Sequence, residues 1–148
     1  MTVAPALVLL AAGMGSRFGG LKQLAPVGPD GEAIIDYTVR DAVEAGIEQV
    51  VLIVREEIRG AIAEHVTRRW PGHLSVEWVI QETPAHRAKP LGTAHAVLAT
   101  RSVVDDPFLV LNADDHYGAS SFPALTDHLT RTGSHALVGF QVSRTLLG

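Results

Sequence analysis

Leu9 to Lys22 reads LLAAGMGSRFGGLK, and how this stretch is understood decides the fold. Just upstream, the mostly apolar residues from Ala6 to Ala11 show no alternation of polar and apolar positions, the pattern of a strand buried on both faces. They run straight into a loop with glycines at 13, 15, 19 and 20. Glycine has no Cβ and tolerates positive φ, so backbone N–H groups in such a loop can come close to an anion. Arg17 and Lys22 add two positive charges beside it. The expectation is a cradle for a chain of phosphates, with the bare alternative that a glycine-rich strand-to-loop turn holds no ligand at all.

Two familiar phosphate motifs fail residue by residue. A GxGxxG fingerprint beginning at Gly13 requires glycine at 18, where the chain has Phe18, and a helix that Pro26 and Pro29 oppose. The acid expected at the end of the second strand is missing too, because Val54 is followed by Arg55. A P-loop beginning at Gly15 requires Gly-Lys at 20 and 21, but Leu21 intervenes and neither Ser nor Thr follows Lys22.

The whole stretch instead resembles the N-terminal signature of the sugar-phosphate nucleotidylyltransferases, LAAGxGxR followed a few residues on by lysine. Here it is carried by Leu10, Ala11, Ala12, Gly13, Gly15, Ser16 and Arg17, then Lys22, Gln23, Leu24 and Pro26. The likeness is greatest to bacterial nucleotidyltransferase-like proteins of undefined substrate.

Outward from this stretch, Leu24 to Val27 reads as extended, and Pro29, Asp30 and Gly31 as a turn. Apolar residues at 35, 39, 42, 43 and 46 form one face of a helix stopped at Gly46. Val50 to Val54 is a second strand, Glu56 to Trp70 a helix stopped by Pro71 and Gly72, and Val76 to Ile80 a third strand. A polar loop from Gln81 to Gly92 follows. Thr93 is then the expected N-cap of a short helix turning Ala94, Val97 and Leu98 inward. Phe108 to Leu111 is a fourth strand, buried by its composition; Phe122, Leu125 and Leu129 lie on one face of a helix, and Ala136 to Val142 is a last strand. Alternating strands and helices with short links predict a three-layer, Rossmann-like α/β fold, a mostly parallel sheet with helices on both faces. In such sheets ligands sit beyond the carboxyl ends of the strands, so the loops 12–22, 81–93 and 112–118 should share one edge.

Composition narrows the classes of partner. At 148 residues the chain is the size of a single domain, 1–148, and 47% hydrophobic against 19% charged residues suits an ordinary globular core. With 12 Lys and Arg against 16 Asp and Glu, the net charge of −4 offers no surface for nucleic acid. The absence of cysteine excludes disulfides and thiolate metal sites and agrees with a reducing compartment. No basic residue precedes the apolar start, and no run approaches the roughly 18 apolar residues needed to span a membrane, so a cytoplasmic protein is expected.

Asp114 and Asp115 stand where the fourth strand ends, suited to Mg²⁺, which binds through one or two carboxylates and substrate phosphates. The alternative is that these acids merely solvate a turn. LNADDHYG resembles the family's second motif, and by that match Asp114 is the metal ligand, Asp115 a candidate second, and His116 a packing or solvent-facing residue. Gln81 closes the third strand with a donor and an acceptor that can pair with a nucleobase edge, or serve as an ordinary polar strand end. The resemblance assigns it to the pyrimidine, and makes Gly92 and Thr93, in the run Lys89 to Ala94, part of the same contact. His65 and His95 read as core or surface residues, Lys89 as solvated.

The reaction implied is attack by a sugar-1-phosphate oxygen on the α-phosphorus of a nucleoside triphosphate, releasing pyrophosphate. Its nucleophile is already an anion and needs no general base, so catalysis is mostly positioning and electrostatic stabilisation. The resemblance gives Arg17 the leaving pyrophosphate, Lys22 the reacting phosphates and Asp114, through Mg²⁺, the α-phosphate. The backbone from Ala11 and Ala12 through Gly13, Gly15 and Ser16 takes the triphosphate and ribose. Family members are commonly about twice this long, so the chain is expected to be the N-terminal part of a longer nucleotidyltransferase, or one completed by a partner, with a homo-oligomer left open. Competing readings are a cytidylyltransferase or molybdopterin-type nucleotidyltransferase, a catalytically silent module that binds sugar nucleotide, and a nicotinamide-binding protein, against which Phe18 and Arg55 count.

Overall fold

The computed structural model describes residues 4–13, 21–88 and 90–145. Its framework is a sheet of β1 (Ala6–Leu10), β2 (Gln49–Val54), β3 (Ser75–Ile80) and β4 (Phe108–Asn112), ordered β3-β2-β1-β4. Every pairing among them is parallel, with Leu7 beside Val50 and Leu109, and Val50 beside Val76. The apolar runs of β1 and β2 occupy the middle of the sheet, where both faces are covered, and Leu7, Val8, Leu9 and Val50 to Val54 are wholly buried.

Two helix layers enclose the sheet. On one face α1 (Ile34–Glu44), α2 (Glu56–Arg69) and α4 (Ser121–Thr132) bring Ile35, Val39, Ile62 and Phe122 against Leu7, Leu9, Val50 and Leu52. On the other, α3 (Thr93–Leu98) and the 3₁₀ turn after it set Ala96, Ala99, Val103 and Val104 against Val8, Val51, Ile53 and Val79. Each fully buried Leu or Ile is worth about 1.5–3 kcal/mol over exposure, so apolar burial holds the strands together. The expected doubly covered parallel sheet is therefore present.

The helix boundaries have local causes. Asp36, third in α1, accepts the Ala33 N–H at 2.8 Å. At the other end Gly46, at φ +86°, allows Ile47 N–H to reach the Ala42 carbonyl at 3.0 Å, a glycine stop that satisfies the last carbonyls. The same Asp36 carboxylate accepts His65 Nε2 at 2.8 Å and Trp70 Nε1 at 2.9 Å, which ties α1 to α2. His65 is thus a buried structural histidine.

The structure departs from the sequence expectation at five places, the first being Leu24, which ends the 3₁₀ turn Lys22–Leu24 and does not begin an extended piece. Thr93 is the first helical residue of α3 and Gly92 the cap, with no side-chain capping bond. In that helix Ala96 is the buried residue, while Ala94 and Leu98 are exposed. β4 is an edge strand, leaving Phe108 37% and Val110 40% exposed despite its apolar composition. Among the described residues 136–141 form no strand; Leu137 is 98% exposed, and Val142–Thr145 form a short helix, α5. Gly139 interrupts that apolar run, and the outward amide of β4 at Asn112 donates to the Tyr117 hydroxyl at 3.1 Å, so one rung of the ladder it needs is occupied.

Candidate functional site

The strand order reverses between β1 and β4: the chain moves outward from β1 to β3, then returns to the far side of β1. Of the three crossovers, those through α1 and α2 lie on one face and that through α3 on the other, so a crevice opens beyond the carboxyl ends of β1 and β4, the position where doubly wound sheets hold ligands. Ladder bonds continue a step past the strands and fix its floor: Ala11 N–H to Ile53 O at 2.8 Å, Ala113 N–H to Leu10 O at 3.1 Å, and Gln81 N–H to Val54 O at 2.8 Å.

Lys22 and Asp114, far apart in sequence, meet across this crevice with Nζ 2.5 Å from Oδ2. The hydrogen bond to Asp114 and its negative charge raise the Lys22 pKa above 10.5, with Asp115 adding a smaller push. Lys22 is therefore cationic at neutral pH as any lysine is, and the attraction to Asp114 is present below 10.5 and lost only as pH climbs through the raised value. Both side chains remain partly open to solvent, at 47% and 30%.

The neighbouring acid is differently employed. Asp115 Oδ2 accepts Asn112 Nδ2 at 2.8 Å, and Ser121 Oγ donates to the Tyr117 carbonyl at 2.6 Å, so the 112–121 turn is braced from within. Burial raises the Tyr117 pKa above its usual 10.0, and its hydroxyl oxygen accepts the Asn112 N–H. Asp114 is the carboxylate turned to the lysine, while His116 lies exposed.

On the β3 side, Gln81 is buried and its Nε2 donates to the Gly92 carbonyl at 3.3 Å. The two residues singled out for a nucleobase are therefore in contact. Gly92 sits at φ +47° and ψ −172°, a conformation that L side chains rarely adopt. Thr93 follows it on the exposed start of α3.

At the end of β1, Ala11 and Ala12 are buried and Gly13 is exposed. Gly13 has no positive φ, and a Cβ there would come no nearer than 3.9 Å to Gln23 Nε2. Its lack of a side chain therefore serves an open approach to the backbone more than an unusual conformation. Gly15, Ser16, Arg17 and Lys89 lie outside the described residues. Sequence reasoning gave no role to Gln23 or Arg55, yet both hold this segment: Gln23 Nε2 donates to the carbonyls of Ala11 and Gly13, and Arg55 Nε to that of Ala12. Gln23 stood inside the quoted signature; its burial in the 3₁₀ turn Lys22–Leu24 had no periodicity to announce it.

A parallel sheet whose strand order reverses at β1 and β4, with a lysine and a carboxylate meeting beyond their carboxyl ends, is a doubly wound α/β domain. The chain belongs to the MobA-like NTP transferase domain family, which matches residues 7–144. It is 30% identical over 118 residues to UTP–glucose-1-phosphate uridylyltransferase AglF of Haloferax volcanii, covering 76% of this chain and 44% of that protein. To the bifunctional protein GlmU of Methanococcus maripaludis it is 29% identical over 110 residues, covering 72% of this chain and 24% of the relative. A solved structure of a putative glucose-1-phosphate thymidylyltransferase from Bacillus anthracis shares the fold, with a TM-score of 0.70 at 21% identity over 87% of this chain and 52% of that one. The chain thus spans less than half the length of the two curated relatives.

Proposed function

We propose that this edge binds a nucleoside triphosphate and that the chain is the nucleotide-binding part of an enzyme transferring a nucleoside monophosphate to a sugar-1-phosphate, with release of pyrophosphate. The observation that carries the reading is the convergence of Lys22 and Asp114 beside the turn that leaves β1. A cation and a carboxylate at that point suit a reaction in which charge moves along a phosphate chain and no proton need be abstracted. The name of the relative AglF, a UTP–glucose-1-phosphate uridylyltransferase, agrees with it, and the greater length of both relatives leaves room for a sugar-binding half outside this chain.

In this scheme the backbone of Ala11 to Ser16 lies along the triphosphate and ribose, Arg17 forks across oxygens of the leaving pyrophosphate, and Lys22 is a compact charge on the reacting phosphates. Asp114 has the hard oxygen donors that Mg²⁺ prefers, with Asp115 beside it, and the ammonium now against Asp114 marks the place as one that favours a cation. When bound, the ion neutralises charge on the phosphates. The absence of cysteine fits a cytoplasmic enzyme, and no described helix is long and apolar enough to cross a membrane.

Gln81 gives the base preference. With one Nε2 N–H given to Gly92, Gln81 keeps its Oε1 acceptor and a second N–H, an adjacent acceptor and donor that match the imide N–H and neighbouring carbonyl of uracil or thymine. The test is a thermal-shift panel of UTP, dTTP, CTP, GTP and ATP with Mg²⁺. A ligand at ten times its Kd stabilises by about 1.4 kcal/mol, roughly 4–5 °C for a chain of this size. UTP or dTTP should give the largest shift; a purine preference would remove the Gln81 argument, and no shift with any of the five would remove the site.

A further inference from the structure

We infer that Gln23, assisted by Arg55, is a positioning residue that holds the carbonyls of residues 11–13 away so that the amides of Ala12 and Gly13 are left for an anionic ligand; the inference rests on the nucleotide reading above. Gln23 is 7% exposed and lies in the turn immediately after the glycine loop. Its Nε2 donates to the Ala11 carbonyl at 3.0 Å and to the Gly13 carbonyl at 2.9 Å, one amide nitrogen bridging residues two apart. From the opposite side, Arg55 Nε at the β2–α2 junction donates to the Ala12 carbonyl at 3.1 Å. Consecutive carbonyls along an extended segment point to alternate sides, and here each side has its own donor.

The electrostatic consequence is specific. Carbonyl oxygens are the negative ends of peptide dipoles, and an unengaged one beside a bound triphosphate would repel it. With those of Ala11, Ala12 and Gly13 all committed to side-chain donors, none is free to turn into the crevice. The residue type matters because a primary amide carries two N–H groups on one nitrogen, enough for both carbonyls. Glutamate would have the same length but set a carboxylate against those two oxygens, and leucine would fill the space while donating nothing. Gln23 and Arg55 also tie residues 11–13 to the turn at 22–24 and to the β2–α2 junction, so the course of this short segment is set before any ligand arrives.

The test compares uridine with UTP in the presence of Mg²⁺, measuring both dissociation constants by equilibrium dialysis for the wild-type chain, Gln23→Leu, Gln23→Glu and Arg55→Met. A residue that only supports the fold would weaken both ligands together. A residue that orients the phosphate-binding backbone should lower the advantage of UTP over uridine about tenfold in Gln23→Leu, equivalent to about 1.4 kcal/mol, and further in Gln23→Glu, while uridine affinity stays within about twofold. Arg55→Met, altered at a partly exposed site outside the turn, should lower the same ratio by a smaller factor and keeps the test alive if the Gln23 variants do not fold. An unchanged ratio, or equal loss for both ligands, overturns the clamp while leaving the site reading intact. If the wild-type chain itself binds UTP no better than uridine, the phosphate site fails and the clamp with it.

Discussion

Two glycine-to-alanine substitutions should move stability in opposite directions, and the structure sets both signs. At Gly92, φ +47° with ψ −172° is a backbone state in which an L residue is strained by about 1–3 kcal/mol. A Cβ there would meet nothing within 4 Å, so the cost is conformational and not steric. Gly60 is also open, with nothing within 4 Å, but it lies inside α2 with ordinary helical geometry. Alanine in a helix interior is favoured over glycine by about 1 kcal/mol. With an unfolding entropy near 2.1 cal/mol/K per residue, each kcal/mol corresponds to about 3 °C for a chain of this length. Gly92→Ala should therefore lower Tm by about 3–9 °C and Gly60→Ala raise it by about 3 °C, read by circular dichroism on matched samples. Because the Gly92 carbonyl anchors Gln81, Gly92→Ala should also narrow the difference between UTP and CTP while sparing the contribution of the phosphates. A Gly92→Ala protein with unchanged Tm and unchanged base preference would refute both the strained conformation and its link to the base site.

Two further substitutions probe the crevice and the scaffold behind it. Asp114→Asn keeps the shape but removes the charge, so the gain in UTP affinity on adding Mg²⁺ should disappear; an undiminished gain in titrations with and without the ion would acquit Asp114 as the ligand. Asp36→Ala deprives Ala33 N–H, His65 and Trp70 of their common acceptor and should cost about 1.5–3 kcal/mol, or roughly 5–9 °C in Tm, with nucleotide selectivity retained. A shift under about 2 °C would show that cluster to be incidental.

The central strands were legible because β1 and β2 are continuous apolar runs, and a run without alternation has few places in a protein except a sheet covered on both faces. β4 has the same composition, but composition cannot say whether a strand has one neighbour or two; its exposed Phe108 and Val110 follow from position in the sheet. The strand expected over 136–142 failed for a related reason: a strand needs a partner edge, and Tyr117 takes one rung of the nearest. Lys22 and Asp114 could be named from the motifs, whereas the bond between them depends on strand order. Least legible were Gln23 and Arg55. Their bonds to residues 11–13 cross 10 to 43 positions of sequence, and neither side chain belongs to a repeating pattern that would betray its burial.

The most direct measurement of the central claim is amide chemical-shift mapping of the chain titrated with UTP and Mg²⁺. The account predicts that the perturbed amides cluster at one sheet edge, at Ala12, Gly13, Lys22, Gln81, Gly92 and Asp114, while those of α1 and the amino ends of the strands stay still. Shifts confined to any other surface, with Lys22 and Asp114 unmoved, would contradict it.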